Sequence, residues 1–135
     1  MLTKEEKEIV EKIKKVLGYD APKITQSQFD KIVEHIMKYE NVGGNPKELV
    51  WRLCGCYRGF NFNKVIDIYV DSKDYYYTSE LVSYVKGELD QEYLTKKMIE
   101  TNDLKFIDKA MSSCGCVMAS FMDKKYVQEL ANLFN

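Results

Sequence analysis

Histidine occurs once in this chain of 135 residues, at His35, tryptophan once, at Trp51, and proline only twice. The single imidazole is a bottleneck for hydrolytic or thiol chemistry. Any Cys–His or Ser–His–Asp arrangement must pass through His35, and no Gly-x-Ser-x-Gly elbow is present. His35 sits between Ile32/Val33 and Ile36/Met37, beside an apolar stripe, and is expected to have structural duties only. Glycine-rich phosphate loops of the Gly-x-x-x-x-Gly-Lys-Ser/Thr and Gly-x-Gly-x-x-Gly types are missing as well. No apolar run approaches the roughly 20 residues that span a bilayer, so a membrane partner is not expected. The opening Met1-Leu2-Thr3-Lys4-Glu5-Glu6-Lys7 has no apolar signal core, which makes the cytoplasm the default compartment.

A charge excess of either sign is also lacking. Twenty Lys/Arg oppose twenty-one Asp/Glu, for a net charge of −1. The balance is local too: residues 1–60 hold eleven basic and nine acidic side chains, residues 61–135 nine and twelve. Phosphate-dominated binding needs a concentrated basic field, so nucleic acid is disfavoured as the main ligand.

What the chain does contain is helix signal. Thr3 and Glu6 have capping-box spacing ahead of a stripe formed by Ile9, Val10, Ile13, Val16 and Leu17, with Gly18 as the stop. Thr25 and Gln28 repeat the box before Phe29, Ile32, Val33, Ile36 and Met37. Asn45-Pro46 reads as an N-cap with proline at the first helical position, opening a short helix that Gly55 closes. Asp90, Asn102 and Asp123 are the expected caps of three further helices. The stretch 65–78 is ambiguous. Its β-branched run Val65–Val70 and the tyrosines after Asp71-Ser72-Lys73-Asp74 suit a β-hairpin on propensity. Two strands with no third to support them are marginal, so helices are preferred there. The expected fold is a single all-α domain over 1–135, with about seven helices. The alternative is α+β, with a small hairpin near residues 65–78. Turning glycines at 55, 87 and 115 suggest a weak repeat of irregular helical hairpins about thirty residues long.

Two Cys-Gly-Cys motifs, Cys54-Gly55-Cys56 and Cys114-Gly115-Cys116, stand out. Four thiolates from two close pairs suit a tetrahedral zinc site, although the usual pairs have two to four intervening residues. Redox exchange is disfavoured by placing the thiols at helix C-termini, where the dipole opposes a negative charge. Helix-ending glycines flanked by small buried thiols explain the same residues without a cofactor, so none is expected. Calcium fails on geometry. With Glu80 as the twelfth position of an EF-hand loop, Asp74 takes the sixth, where glycine is needed.

Aromatics are plentiful: ten Tyr, six Phe and one Trp. Trp51, Arg52, Tyr57, Arg58, Phe60 and Phe62 gather round the first cysteine motif, and Tyr75, Tyr76 and Tyr77 form a second group. Trp, Tyr and Arg dominate interface hot spots. The leading expectation is a non-catalytic cytoplasmic module that binds another protein, an adaptor or an inhibitor of the kind mobile elements and phages carry. Its contacts are sought at Trp51, Arg52, Tyr57, Arg58, Tyr75, Tyr76 and Tyr77, and a homodimer would use the same surface. The alternatives are a metal-binding protein using Cys54, Cys56, Cys114 and Cys116, and a thiol enzyme using one cysteine with His35.

Overall fold

The computed structural model describes residues 1–15, 21–39, 45–85, 89–112 and 124–134. They form eight α-helices, a closing 3₁₀ turn (Asn132–Phe134) and no strand, so the fold is all-α. No helix among them is long and apolar enough to cross a membrane. The chain divides into two compact units, Met1–Phe60 and Asn61–Asn135.

The first unit holds α1 (Lys4–Lys15), α2 (Gln26–Tyr39) and α3 (Pro46–Cys56), each packed on the other two. Both capping boxes close as their spacing demands. Thr3 N–H donates to Glu6 Oε1 at 2.8 Å while Glu6 N–H donates to Thr3 Oγ1 at 3.1 Å. Thr25 and Gln28 make the same exchange at 2.9 and 3.1 Å. With their free backbone donors satisfied, the two helices turn Ile9, Val10 and Ile13, and Phe29, Ile32, Val33 and Ile36, into one core. Asn45 Oδ1 accepts from Lys47 N–H at 3.0 Å and starts α3, which adds Leu49, Val50, Leu53 and Cys54.

The glycine expected to end α3 does not end it. Helical backbone runs through Gly55 to Cys56, and the cap is Tyr57, at φ −129° and ψ 55°. The Tyr57 side chain explains the later stop. Its ring is buried against Phe29 and Phe60, at centroid distances of 6.2 and 5.6 Å, and its hydroxyl donates to the Pro22 carbonyl at 2.7 Å. Tertiary packing therefore fixes the helix end that local propensity assigned to glycine. Gly18, Gly87 and Gly115, the other expected turning points, lie outside the described residues, as does the expected cap Asp123.

The second unit holds α4 (Asn63–Asp71), α5 (Tyr75–Val85), α6 (Gln91–Glu100), α7 (Leu104–Ser112) and α8 (Lys124–Ala131). Helix α4 packs beside α5 and α6, α5 beside α7, and α6 beside α8. Residues 65–78 are thus two helices and a turn, which removes the hairpin alternative. Spacing decides against the strand: Val65, Ile66, Tyr69 and Val70 are the buried positions of α4. A period of two would have placed Asp67 on the same face as Val65 and Tyr69. The helix instead directs Asp67 to α6, where it accepts the Tyr93 hydroxyl proton at 2.6 Å and lies 3.4 Å from Lys97 Nζ. Lys97 also donates to Asp71 at 2.8 Å. That hydrogen bond holds the Lys97 ammonium above its ordinary range, as the Asp67 carboxylate does the Tyr93 phenol. Asp90 caps α6 as expected, accepting from Tyr93 N–H at 3.0 Å.

The turns before α5 and α7 share one design. Lys73 (φ 52°) and Asn102 (φ 49°) take the left-handed conformation, and the aspartate that follows each caps the next helix. Asp74 accepts from Tyr77 N–H and Asp103 from Phe106 N–H, both at 3.0 Å. The expected cap Asn102 is therefore the turning residue, and Asp103 is the cap. With Asn45, the caps of α3, α5 and α7 fall evenly at positions 45, 74 and 103. That even interval is close to the expected repeat length of about thirty residues, and it is marked by acid or amide caps rather than by glycines.

Candidate functional site

Most aromatic side chains singled out near the first cysteine motif are occupied inside the first unit. Tyr57 and Phe60 form a cluster with the fully buried Phe29. Arg52 donates from Nη1 to the Ile13 carbonyl at 3.2 Å and lies 3.7 Å from Glu48, so its guanidinium ties α3 to the end of α1. Trp51 is half-buried, and Arg58 is exposed on the turn after α3. Phe62, in the second unit, is buried.

The tyrosine triplet divides. Tyr77 stacks on the buried Tyr69 at 5.5 Å and belongs to the core side of α5. Tyr75 and Tyr76 are exposed at 41% and 48%. A third residue, which sequence reasoning missed, joins them: Leu104, exposed at 40%. Tyr75 and Leu104 each follow a capping aspartate and so occupy the first position of their helices. The buried stripes start later, with Thr78, Ser79, Leu81 and Val82 on α5 and with Phe106, Ile107 and Ala110 on α7. Each first residue therefore overhangs the core instead of filling it.

Two contacts bring these helix starts together. Lys73 Nζ lies 3.1 Å from Asp103 Oδ2 and fastens the turn before α5 to the turn before α7. Lys109 Nζ, from α7, stands 5.2 Å above the Tyr75 ring. Asp103 is held below the usual carboxylate range, first by the Phe106 N–H and then by Lys73. The outcome is an edge of exposed tyrosine and leucine on two adjoining helices whose N-terminal ends are clamped. The even cap spacing was the signal in the sequence that points to Leu104.

The cysteines have a different fate. Cys54 is fully buried and Cys56 half-buried, and burial pushes both thiols up, Cys54 far above the usual range. The helix through Cys56 also separates them, since residues two apart on a helix do not face each other. Cys114 and Cys116 lie outside the described residues. Among the described residues, no group of three or more Cys, His, Asp or Glu is arranged to hold a metal. His35 packs against Tyr39 with ring centroids 5.0 Å apart, in a groove that no cysteine among the described residues lines.

The chain matches no protein-family model, no curated protein and no solved structure.

Proposed function

We propose that this chain is a non-catalytic protein-binding module of the cytoplasm, an adaptor or an inhibitor that covers a working surface of another protein. The contact is made by the edge bearing Tyr75, Tyr76 and Leu104. The observation that carries this reading is the grouping itself. Three large apolar side chains stand in solvent on neighbouring helix starts, where folding gains nothing from their exposure. Full burial of a side chain of this size stabilises by about 1.5–3 kcal/mol, and tyrosine is among the residues that dominate binding energy. Clamping by Lys73–Asp103 supports the reading, because side chains on fixed helices lose less freedom when a partner covers them.

The test is site-directed photocrosslinking in cells that produce the protein. A benzophenone amino acid replaces Tyr76 in one variant and Glu8, on the solvated side of α1, in another. One discrete adduct from position 76 and none from position 8 is the expected result. The protein so identified should then bind Tyr76→Ala at least about tenfold more weakly than the unaltered chain. Equal adducts from both positions, or an unchanged affinity, would overturn the assignment. An adduct between two copies of the chain would replace the foreign partner with a homodimer.

A further inference from the structure

A second feature of the first unit points to a small ligand. A groove of about 630 Å³, within the size range of small-molecule sites, opens beside the exposed side of α2. Leu2 is buried beneath it and Lys7 of α1 borders it. Lys31, His35 and Lys38 line it from successive turns of α2, and Tyr39, exposed at 62%, stands at its end.

The charges in the groove are not equivalent. Lys31 lies 3.1 Å from the buried Glu6 carboxylate, which the Thr3 N–H also holds, so its charge is compensated and its position fixed. Lys7 and Lys38 remain, and among the described residues that line the groove they face one acid, Glu34. The aromatic side is equally defined: His35 packs on Tyr39 at 5.0 Å, and Lys38 Nζ stands 5.2 Å from the Tyr39 ring. A flat surface thus adjoins two ammonium groups, with one carboxylate close by. Glu34 opposes a ligand of high negative charge, whereas a single anionic group is met by Lys7 and Lys38. A ring amine or hydroxyl would have Glu34 as its acceptor.

We propose that this groove binds a planar ring carrying one anionic group, the chemistry of a nucleoside monophosphate or of an aromatic carboxylate. The ring lies against Tyr39 and His35, and the anion lies between Lys7 and Lys38. The site belongs to the first unit and the proposed protein-binding edge to the second, so each reading can be overturned while the other stands.

His35 is the only histidine and Trp51 the only tryptophan, which makes an NMR titration of the full chain unambiguous. The His35 ring resonances report the groove, and the Trp51 indole, on α3 outside it, serves as the control. The additions, at constant ionic strength, are adenosine monophosphate, 2-naphthoate, adenosine, inorganic phosphate and a glutamate-rich peptide. Saturable His35 shifts with adenosine monophosphate or 2-naphthoate are expected, and whichever saturates first names the source. Adenosine and phosphate alone should bind at least about tenfold more weakly, and Lys38→Glu and Tyr39→Ala should each weaken the bound anion by about tenfold. Both positions are exposed, so an unchanged Trp51 resonance verifies the fold of each variant. The proposal is overturned if neither ring anion saturates in the millimolar range, or if Lys38→Glu binds as well as the unaltered chain. Binding of the glutamate-rich peptide alone would assign the groove to an acidic protein segment instead.

Discussion

A carboxylate that is 1% exposed needs partners on every side, and Glu6 has them in the Thr3 N–H and Lys31. The Thr3 backbone bond is the main cause holding its pKa below the usual 4.5. A depressed folded pKa means that the stabilisation is complete above the unfolded value and is lost as pH falls through the folded one. Glutamine in the same place keeps the capping box and removes only the charge. Urea melts of Glu6→Gln should therefore show a deficit below about 1 kcal/mol at pH 7, since Lys31 is partly solvated, and no deficit at pH 2. A deficit that persists at pH 2 would assign the effect to packing. Core and edge positions should separate more sharply. Phe29→Ala, at the centre of the aromatic cluster, should cost about 3–5 kcal/mol, and Tyr76→Ala should stay within about 0.5 kcal/mol, both read from urea midpoints. Single side chains were legible in the sequence where their partners are local. Thr3, Glu6, Thr25 and Gln28 all act within one turn. Tyr57 and Arg52 were not legible as internal, because the carbonyls they bond lie 35 and 39 residues away.

Helices were legible wherever an apolar stripe and a cap agreed, as in α1, α2, α3 and α6. The sequence misled at Gly55, where a residue that often ends helices lies inside one. A direct comparison distinguishes the two conformations. Within a helix, Gly55→Ala should be more stable than Gly55→Asn by about 0.5 kcal/mol, whereas a left-handed stop would favour asparagine. Thermal melts of the two variants give the order, and an inverted order would restore the glycine cap. Asn102 and Asp103 show a second way that local reading slips. Both are good caps by composition, and only the left-handed φ of Asn102 shows that it turns the chain for its neighbour. The helical nature of 65–78 was legible in the spacing of Val65, Ile66, Tyr69 and Val70, whereas the partners of Asp67, Tyr93 and Lys97 on α6, lie beyond any local window.

At the scale of the whole chain, acids and bases are near-equal in number in both halves, whereas tight binding of a phosphate backbone calls for a concentrated basic field. Random duplex DNA should therefore show no mobility shift with micromolar protein at physiological salt. A shift that falls steeply with added salt would contradict this. The all-α class followed from composition and periodicity. The exposed edge was half legible: tyrosine triplets announce themselves, but a lone leucine such as Leu104 gains meaning only from the helix start beside it. Asn45, Asp74 and Asp103 keep one beat along the chain. Loss or gain of one whole interval would leave every remaining cap in register with its helix. Tyr75 and Leu104 stand one place after the second and third of these caps, so a cap moved along the chain by a single residue would turn the exposed side chain beside it away from its present edge.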